Sequence, residues 1–389
     1  MTTLGRHLAA LSATYNDPKA APKASSSDAL HARLLFSFPR DVPKGAAAVR
    51  ELVGQRALAL DKTTLRVIDL GAGLGAMTWG LARALDAAGW KGTLDVLLID
   101  NDEATLAAMR ELFTRRSDAG GVRIEPRLAT GSASDIYLVR AEIARGGPVD
   151  VVILGQVLSE LDRTRTPDER VTKHAAVITT LMREAVAPDG ALVVVEPALK
   201  DRSRHLHRVR DLVLMPLPPS GKNAKDLAPP VPPRVFAPCL HAATCPALAH
   251  EGDWCHEDLE IDLPPWLVAP ARAAGLRWQG LTFSYLVLKH EAGPSTARRL
   301  RVISAPIVTK GKIEAFLCGD LGEAHGGGGR LRAVRLDRDR ADDNAAWDAL
   351  AKGDVLEIEP APAPAATGGS PRIGKTARVM RIDVAERRK

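Results

Sequence analysis

Two rhythms of apolar and polar positions trade places between residues 65 and 196. Residues 65–70 are a short apolar run that ends in a glycine turn, and 76–88 then place their apolar side chains at helical spacing. The same exchange recurs with a strand at 94–100, a helix through Phe113 and a weaker strand at 122–127. Residues 149–155, Val-Asp-Val-Val-Ile-Leu-Gly, are nearly continuous in their apolarity, as a strand covered on both faces requires. A helix at 168–187 stops at Pro188-Asp-Gly, and 191–196 gives a fifth strand. Strands alternating with helices predict right-handed crossovers and a parallel, doubly wound sheet.

Outside this stretch the pattern changes. Residues 44–60 read as a helix with Val49, Leu52, Val53, Leu58 and Leu60 on its apolar side, so 1–62 is expected to be a helical module, with a Pro-, Lys- and Ser-rich linker at 16–30. The doubly wound domain is expected over 63–297, broken by a Cys-rich insertion at 231–258. Before that insertion, 216–238 are rich in Pro and Lys, including Pro230, Pro232 and Pro233. A short helix at 266–274 and a strand at 281–288 follow. Strands at 300–307, 312–317, 331–336 and 355–358 predict a small β-rich module over 298–360. From 361 to 389 the composition of Pro, Ala, Gly and basic residues predicts a mobile basic tail.

Composition narrows the class. The 389 residues are 46% hydrophobic and 26% charged, the balance of a globular chain rather than a disordered one. No apolar run reaches membrane-span length and the first thirty residues lack a signal-peptide core, so a cytoplasmic setting is expected. The formal charge of +6 is compatible with a nucleic-acid partner without requiring one. There are four cysteines in the chain. In a reducing compartment a clustered set points to metal or redox chemistry rather than to disulfides.

The glycine turn reads Asp69-Leu-Gly71-Ala72-Gly73-Leu-Gly75 between a strand and a helix. Glycines let the backbone turn sharply and approach a ligand without a Cβ in the way. The run also satisfies the loose dinucleotide pattern. The acid two positions before the first glycine favours S-adenosylmethionine instead, because it repels a pyrophosphate and can accept hydrogen bonds from a cationic methionine moiety. Asp100, ending the second strand, is placed to accept both ribose hydroxyls. Gln156, leaving the fourth strand, completes the candidate cofactor contacts Asp69, Gly71, Ala72, Gly73, Gly75, Asp100 and Gln156. A turn that binds nothing is the bland alternative. No catalytic residue is recognisable: Gln156-Val-Leu-Ser-Glu160-Leu stands where amino-group methyltransferases place Asn/Asp-Pro-Pro-aromatic, and no cysteine nucleophile is present there.

Cys239, Cys245, Cys255 and Cys318 are spaced C-x5-C-x9-C with a long gap to the fourth. The C-x2-C knuckles of zinc ribbons are missing, as is the C-x3-C-x2-C of radical S-adenosylmethionine enzymes. Irregularly spaced thiolates suit a cubane iron–sulfur cluster, while structural zinc and free buried thiols stay open. His241, His250 and His256 crowd the same segment. Further basic residues follow the fifth strand. On a helix, Arg202, Arg204, Arg208 and Arg210 would fan away from Leu206, Val209 and Val213, a face that can contact RNA phosphates or simply be solvated.

Pro238-Cys239-x-His241, Cys245-Pro246, Asp253-Trp254-Cys255-His256, Phe283-Ser-Tyr285 and Leu317-Cys318 together resemble the methyltransferase-like small-ribosomal-subunit proteins. The match extends through the glycine turn, Val157-Leu-Ser-Glu160-Leu161 and Val195-Glu196-Pro197, over roughly residues 30–360. After Pro197 this chain has Ala-Leu-Lys where the family usually shows a glycine-containing turn, a departure at the pocket's edge. The resemblance implies a class I S-adenosylmethionine-dependent methyltransferase-like Rossmann fold (α/β), with the helical N-terminal module, Cys-rich insertion and β-rich C-terminal module. It also implies a [4Fe–4S] cluster on the four cysteines and a cytoplasmic, ribosome-associated factor acting on the small subunit through its rRNA. That factor is expected to bind S-adenosylmethionine, to be a monomer when free, and to have no membrane partner. An active rRNA methyltransferase and a zinc-stabilised small-molecule methyltransferase are the rival expectations.

Overall fold

In the computed structural model, which describes residues 3–16, 26–116, 121–215, 232–291, 299–321, 329–362 and 369–383, the chain opens with helices. These are α1 (Thr3–Asn16), α2 (Ser27–Ala32), a π turn (Arg33–Ser37) and α3 (Phe38–Gly54). The two rhythms then resolve into β1 (Thr64–Leu70), α4 (Ala76–Ala87), β2 (Thr93–Asp100), α5 (Glu103–Thr114), β3 (Arg123–Thr130), α6 (Ile136–Gly146) and β4 (Val149–Gly155). They continue through α7 (Pro167–Glu184), β5 (Val186–Pro197) and α8 (Lys200–Leu214). After the cysteine segment's first strand, β6 (Arg234–Ala237), come β7 (Glu257–Asp262), α9 (Pro265–Ala273) and β8 (Gln279–Lys289).

Strand order is β3-β2-β1-β4-β5-β8-β6, with β7 also on β8. β1 to β5 pair in parallel, and β8 enters antiparallel between β5 and β6. This is the class I methyltransferase-like Rossmann sheet. Six of the seven residues of β4 are buried because apolar layers cover both faces. One layer packs Leu52, Leu81, Leu85 and Met109 from α3, α4 and α5; the other packs Val171, Ile178, Leu206 and Val209 from α7 and α8. α7 starts where Thr166 and Glu169 form a reciprocal cap with Pro167 in the first turn. The order reverses between β1 and β4, and ligands of such sheets bind outside the carboxyl ends of the strands at that point. No helix among the described residues is long and apolar enough to cross a membrane.

The rest of the chain is a barrel of β9 (Arg299–Val302), β10 (Ile307–Thr309), β11 (Lys312–Gly319), β12 (Gly329–Leu336), β13 (Val355–Glu359) and β14 (Arg378–Ile382). β11 pairs with β9, β10 and β12, while β13 pairs with β9 and β14, all antiparallel. Val334 bridges Arg372 in parallel, which closes the ring. Leu300, Ala315, Leu317, Leu356 and Val379 fill it, and the 3-10 segment Asp342–Ala349 plugs it with the fully buried Trp347.

This corrects the expectation of a mobile tail from 361 onward. Residues 369–383 are built into the barrel: Ile373 and Ala377 are buried and β14 pairs with β13 over five residues. Composition hid the strand because the Pro- and Gly-rich approach precedes a run, Arg-Val-Met-Arg-Ile, too short to announce itself. The basic end at 387–389 and the Pro-rich stretch at 216–231 lie outside the described residues. The expected strand at 300–307 is two strands, β9 and β10, separated by the irregular residues 303–306 with a bend at Ser304.

Candidate functional site

At the carboxyl end of β1 the chain turns through Gly71, Gly73 and Gly75 with φ of +66°, +55° and +80°, a region costly for residues with a Cβ. At Gly71 a Cβ would also stand 2.5 Å from the Val157 methyl, whereas at Gly73 it would meet nothing within 4 Å, so the turn leaves open space there. Asp100 ties this turn to β2: its Oδ2 accepts the Gly73 amide at 2.8 Å and its Oδ1 the Asp102 amide at 3.0 Å. Asp69 is fully buried behind the turn. Its Oδ2 accepts from the Thr78 hydroxyl at 2.7 Å, and among the described residues Oδ1 has no partner. Burial pushes its carboxyl up to about 7, and the nearby Asp100 charge pushes the same way.

Gln156 leaves β4 at φ +60°, left-handed backbone unusual for a residue with a side chain. The turn that follows is held by a residue that no motif in the sequence marks. Glu196, on β5, accepts the amides of Leu158 (2.8 Å) and Ser159 (3.2 Å). Burial nevertheless drives it up to about 7. The sequence signal was available: an acid closing an otherwise apolar inner strand needs partners, and the turn after the adjacent strand supplies them.

The end of α1 lies across the same crevice. The Tyr15 carbonyl accepts from Arg163 (3.1 Å) and Arg202 (2.9 Å), and its hydroxyl accepts from Arg33 (3.1 Å), which also reaches the Thr105 hydroxyl at 3.2 Å. Burial raises Glu160 above the ordinary carboxylate range; the charges of Arg33 and Arg202 oppose that rise and Asp100 adds to it.

The second site gathers the four cysteines. Cys239 follows β6, Cys245 precedes the 3-10 turn Pro246–Leu248, Cys255 precedes β7, and Cys318 comes from β11 of the barrel. All line one cavity of about 770 Å³, its solvent-open mouth included, together with His207, His241, Arg210 and Arg330. Burial first, and then the neighbouring thiols, push Cys245 up to about 12, Cys255 up to about 11 and Cys318 well above its ordinary value. Sulfurs so placed hold negative charge only if cations stand among them. His241 Nε2 lies 3.6 Å from the Cys318 sulfur. Among the described residues no group of three or more His, Cys, Asp or Glu side chains is found that could hold a metal ion; the thiols surround a space rather than a point.

α8 builds this site. His207, neutral because burial and the Arg210 charge push it down to about 4, accepts the Cys255 amide at 3.0 Å. Asp211 accepts the Cys245 amide at 2.9 Å, and Arg210 donates to the carbonyls of His241 (2.5 Å) and Ala243 (2.7 Å). Arg204 donates to the carbonyls of Ala247 (3.0 Å), His250 (2.7 Å) and Asp253 (2.8 Å).

The structure does not set Arg202, Arg204, Arg208 and Arg210 in one outward row, the arrangement expected for contact with RNA. Arg210 is 2% exposed, Arg204 is committed to loop carbonyls, Arg202 to the Tyr15 carbonyl at the end of α1, and the exposed Arg208 pairs with Asp168 at 2.5 Å. Spacing held the signal: positions 203, 207, 210 and 211 share one helical face, so this face meets the cysteine loop.

A family model described as mitochondrial small ribosomal subunit Rsm22 matches residues 43–326. The human mitochondrial ribosome assembly protein METTL17 is 29% identical over 185 residues, which span 47% of this chain and 34% of that protein. Among solved structures, the plantazolicin methyltransferase BpumL in complex with SAH is 10% identical with a TM-score of 0.35, over 74% of this chain and 96% of that one. A putative class I S-adenosylmethionine-dependent methyltransferase from Listeria monocytogenes is 14% identical with a TM-score of 0.32, over 64% and 58%.

Proposed function

Because the chain belongs to the Rsm22 family of mitochondrial small ribosomal subunit proteins, we propose that it is an assembly factor of the small ribosomal subunit that binds S-adenosylmethionine and holds a [4Fe–4S] cluster. It works in the cytoplasm, on the subunit's rRNA, as a weakly catalytic or non-catalytic protein that is monomeric when free. One observation carries the reading: every cysteine of the chain, drawn from two separate stretches of sequence, lines the same cavity.

The residues fit the groups. Four thiols around one cavity, three of them (Cys245, Cys255 and Cys318) raised by burial and by their neighbours, suit the cationic, multi-iron body of a cubane better than they suit a single ion. Cys239, Cys245, Cys255 and Cys318 would hold it, α8 would fix the loop backbone, and His241 would present a ring N–H to the Cys318 sulfur. At the glycine turn, the open space at Gly73 leaves room for a ligand, and the unpartnered Asp69 Oδ1 can accept from its cationic end. Ala72, Asp100 and Gln156 would line the remainder. S-adenosylmethionine supplies a transferable methyl group when bound.

Anaerobic purification tests the cluster: brown protein carrying about four irons per chain is expected, and a colourless, zinc-loaded chain would end that half of the reading. Co-sedimentation with small subunits and depletion test the other half. Loss of subunits with rRNA methylation intact is expected; loss of one methyl group at normal subunit abundance would make the chain an rRNA methyltransferase instead.

A further inference from the structure

The barrel lends Cys318 to the cavity, and its strand order carries separate information. Residues 371–373, parallel to β12, run the same way as β14, so together they are one interrupted strand. Counting β9, β11, β12, β13 and this strand as one to five, the order round the ring is 1-2-3-5-4-1, with strands three and five parallel and a helical plug between three and four. That is the topology of the oligonucleotide/oligosaccharide-binding barrel, which takes ligands on the face of strands two and three and on the loops joining strands one to two and four to five.

Here the face belongs to β11 and β12. Ile313, Ala315 and Leu317 point into the barrel core, so alternation sends Lys312, Glu314 and Phe316 outward. Phe316 lies opposite Arg332 in register, with the guanidinium carbons of Arg330 and Arg332 at 4.6 and 5.7 Å from its ring centre. The Arg332 side chain is 44% exposed. Glu314 is shared by Lys312 (2.9 Å) and Arg332 (3.0 Å), which leaves surplus positive charge. The loop between strands one and two adds the exposed Lys310. At its other end, where Arg330 pairs with Asp253, the face docks on the cysteine loop, so the open part runs from Phe316 towards β10.

We propose that this outer face of β11 and β12 binds single-stranded nucleic acid. Unpaired bases stack on the Phe316–Arg332 platform, and phosphates take up the charge of Lys312, Lys310 and Arg332. The cationic surplus favours phosphates over a neutral saccharide. The inference needs only the barrel: a chain that binds oligonucleotide but does not sediment with subunits would keep it and sink the ribosomal reading.

The test is fluorescence anisotropy of the full chain with a labelled single-stranded RNA of about 12 nucleotides, within the span of ~4–16 nucleotides such a barrel covers. A duplex of the same sequence serves as the competitor. The double variant Lys312→Ala/Arg332→Ala should bind the single strand about tenfold or more weakly and lower the log–log salt slope by about 1.4, the share of two phosphate contacts. Phe316→Leu, which keeps an apolar side chain on the strand, should also weaken binding, with folding checked by circular dichroism. Arg208→Ala should change nothing. Absent binding, an unchanged affinity in the double variant, or preference for the duplex would each overturn the proposal.

Discussion

Asp69 keeps its carboxyl where water does not reach it, held by one hydroxyl and burdened by the nearby Asp100. Unfolded, the group titrates near ~4; folded, it titrates at about 7. Between those values the folded chain keeps a proton that the unfolded chain has released. Its contribution to stability is therefore full below the unfolded value and falls as pH rises towards the folded one. Asp69→Asn removes that dependence. The melting temperature of the variant, relative to the parent, should climb between about pH 5 and about pH 7.5. Parallel curves for the two proteins would show that Asp69 ionises normally.

At the scale of one element, α8 separates two arginines that look alike in sequence. Arg210 is buried against the carbonyls of His241 and Ala243, whereas Arg208 is exposed with Asp168. Arg210→Ala should cost about 3 kcal/mol or more, because buried carbonyls lose their donor and Asp211 its partner. Arg208→Ala should stay within about 0.5 kcal/mol. Urea midpoints decide this, and equal losses would refute the assignment. The pair also shows what could be read from the chain alone. Strands β1, β2, β4 and β5 and the glycine turn were legible because burial on both faces and a sharp turn each demand a particular run of residues. The grouping of Cys239, Cys245 and Cys255 was legible because they stand in one short stretch of a chain that has four cysteines. The role of α8 was not, since a guanidinium has the same character in solvent and under a loop; only the cysteine segment folding back onto the helix tells them apart. β6 and β14 escaped because both are short, four and five residues, and each follows a Pro-rich stretch.

Across the whole molecule, three parts meet at one buried ionic knot. Arg301 of the barrel donates to Glu51 of α3 at 2.8 Å, and Tyr285 of the Rossmann sheet donates to the same carboxylate at 3.1 Å. Arg50 pairs with Glu257 alongside, and Lys352 reaches Asp258 at 2.7 Å. Glu51→Ala leaves a buried guanidinium without its counter-charge, which should cost about 3–5 kcal/mol. A loss below about 1 kcal/mol in chemical denaturation would mean that water or another acid takes over the site.

Cys318 sits on β11, beyond every strand of the Rossmann sheet in chain order. A polypeptide made from its amino end therefore exposes Cys239, Cys245 and Cys255 well before the fourth thiol exists. At ~5–20 residues per second, the interval lasts about 3–13 s. During it the cavity has no wall on the barrel side, and a chain released early keeps three thiols that cannot be enclosed. Completion of the site thus marks, within the molecule itself, that translation has passed β11.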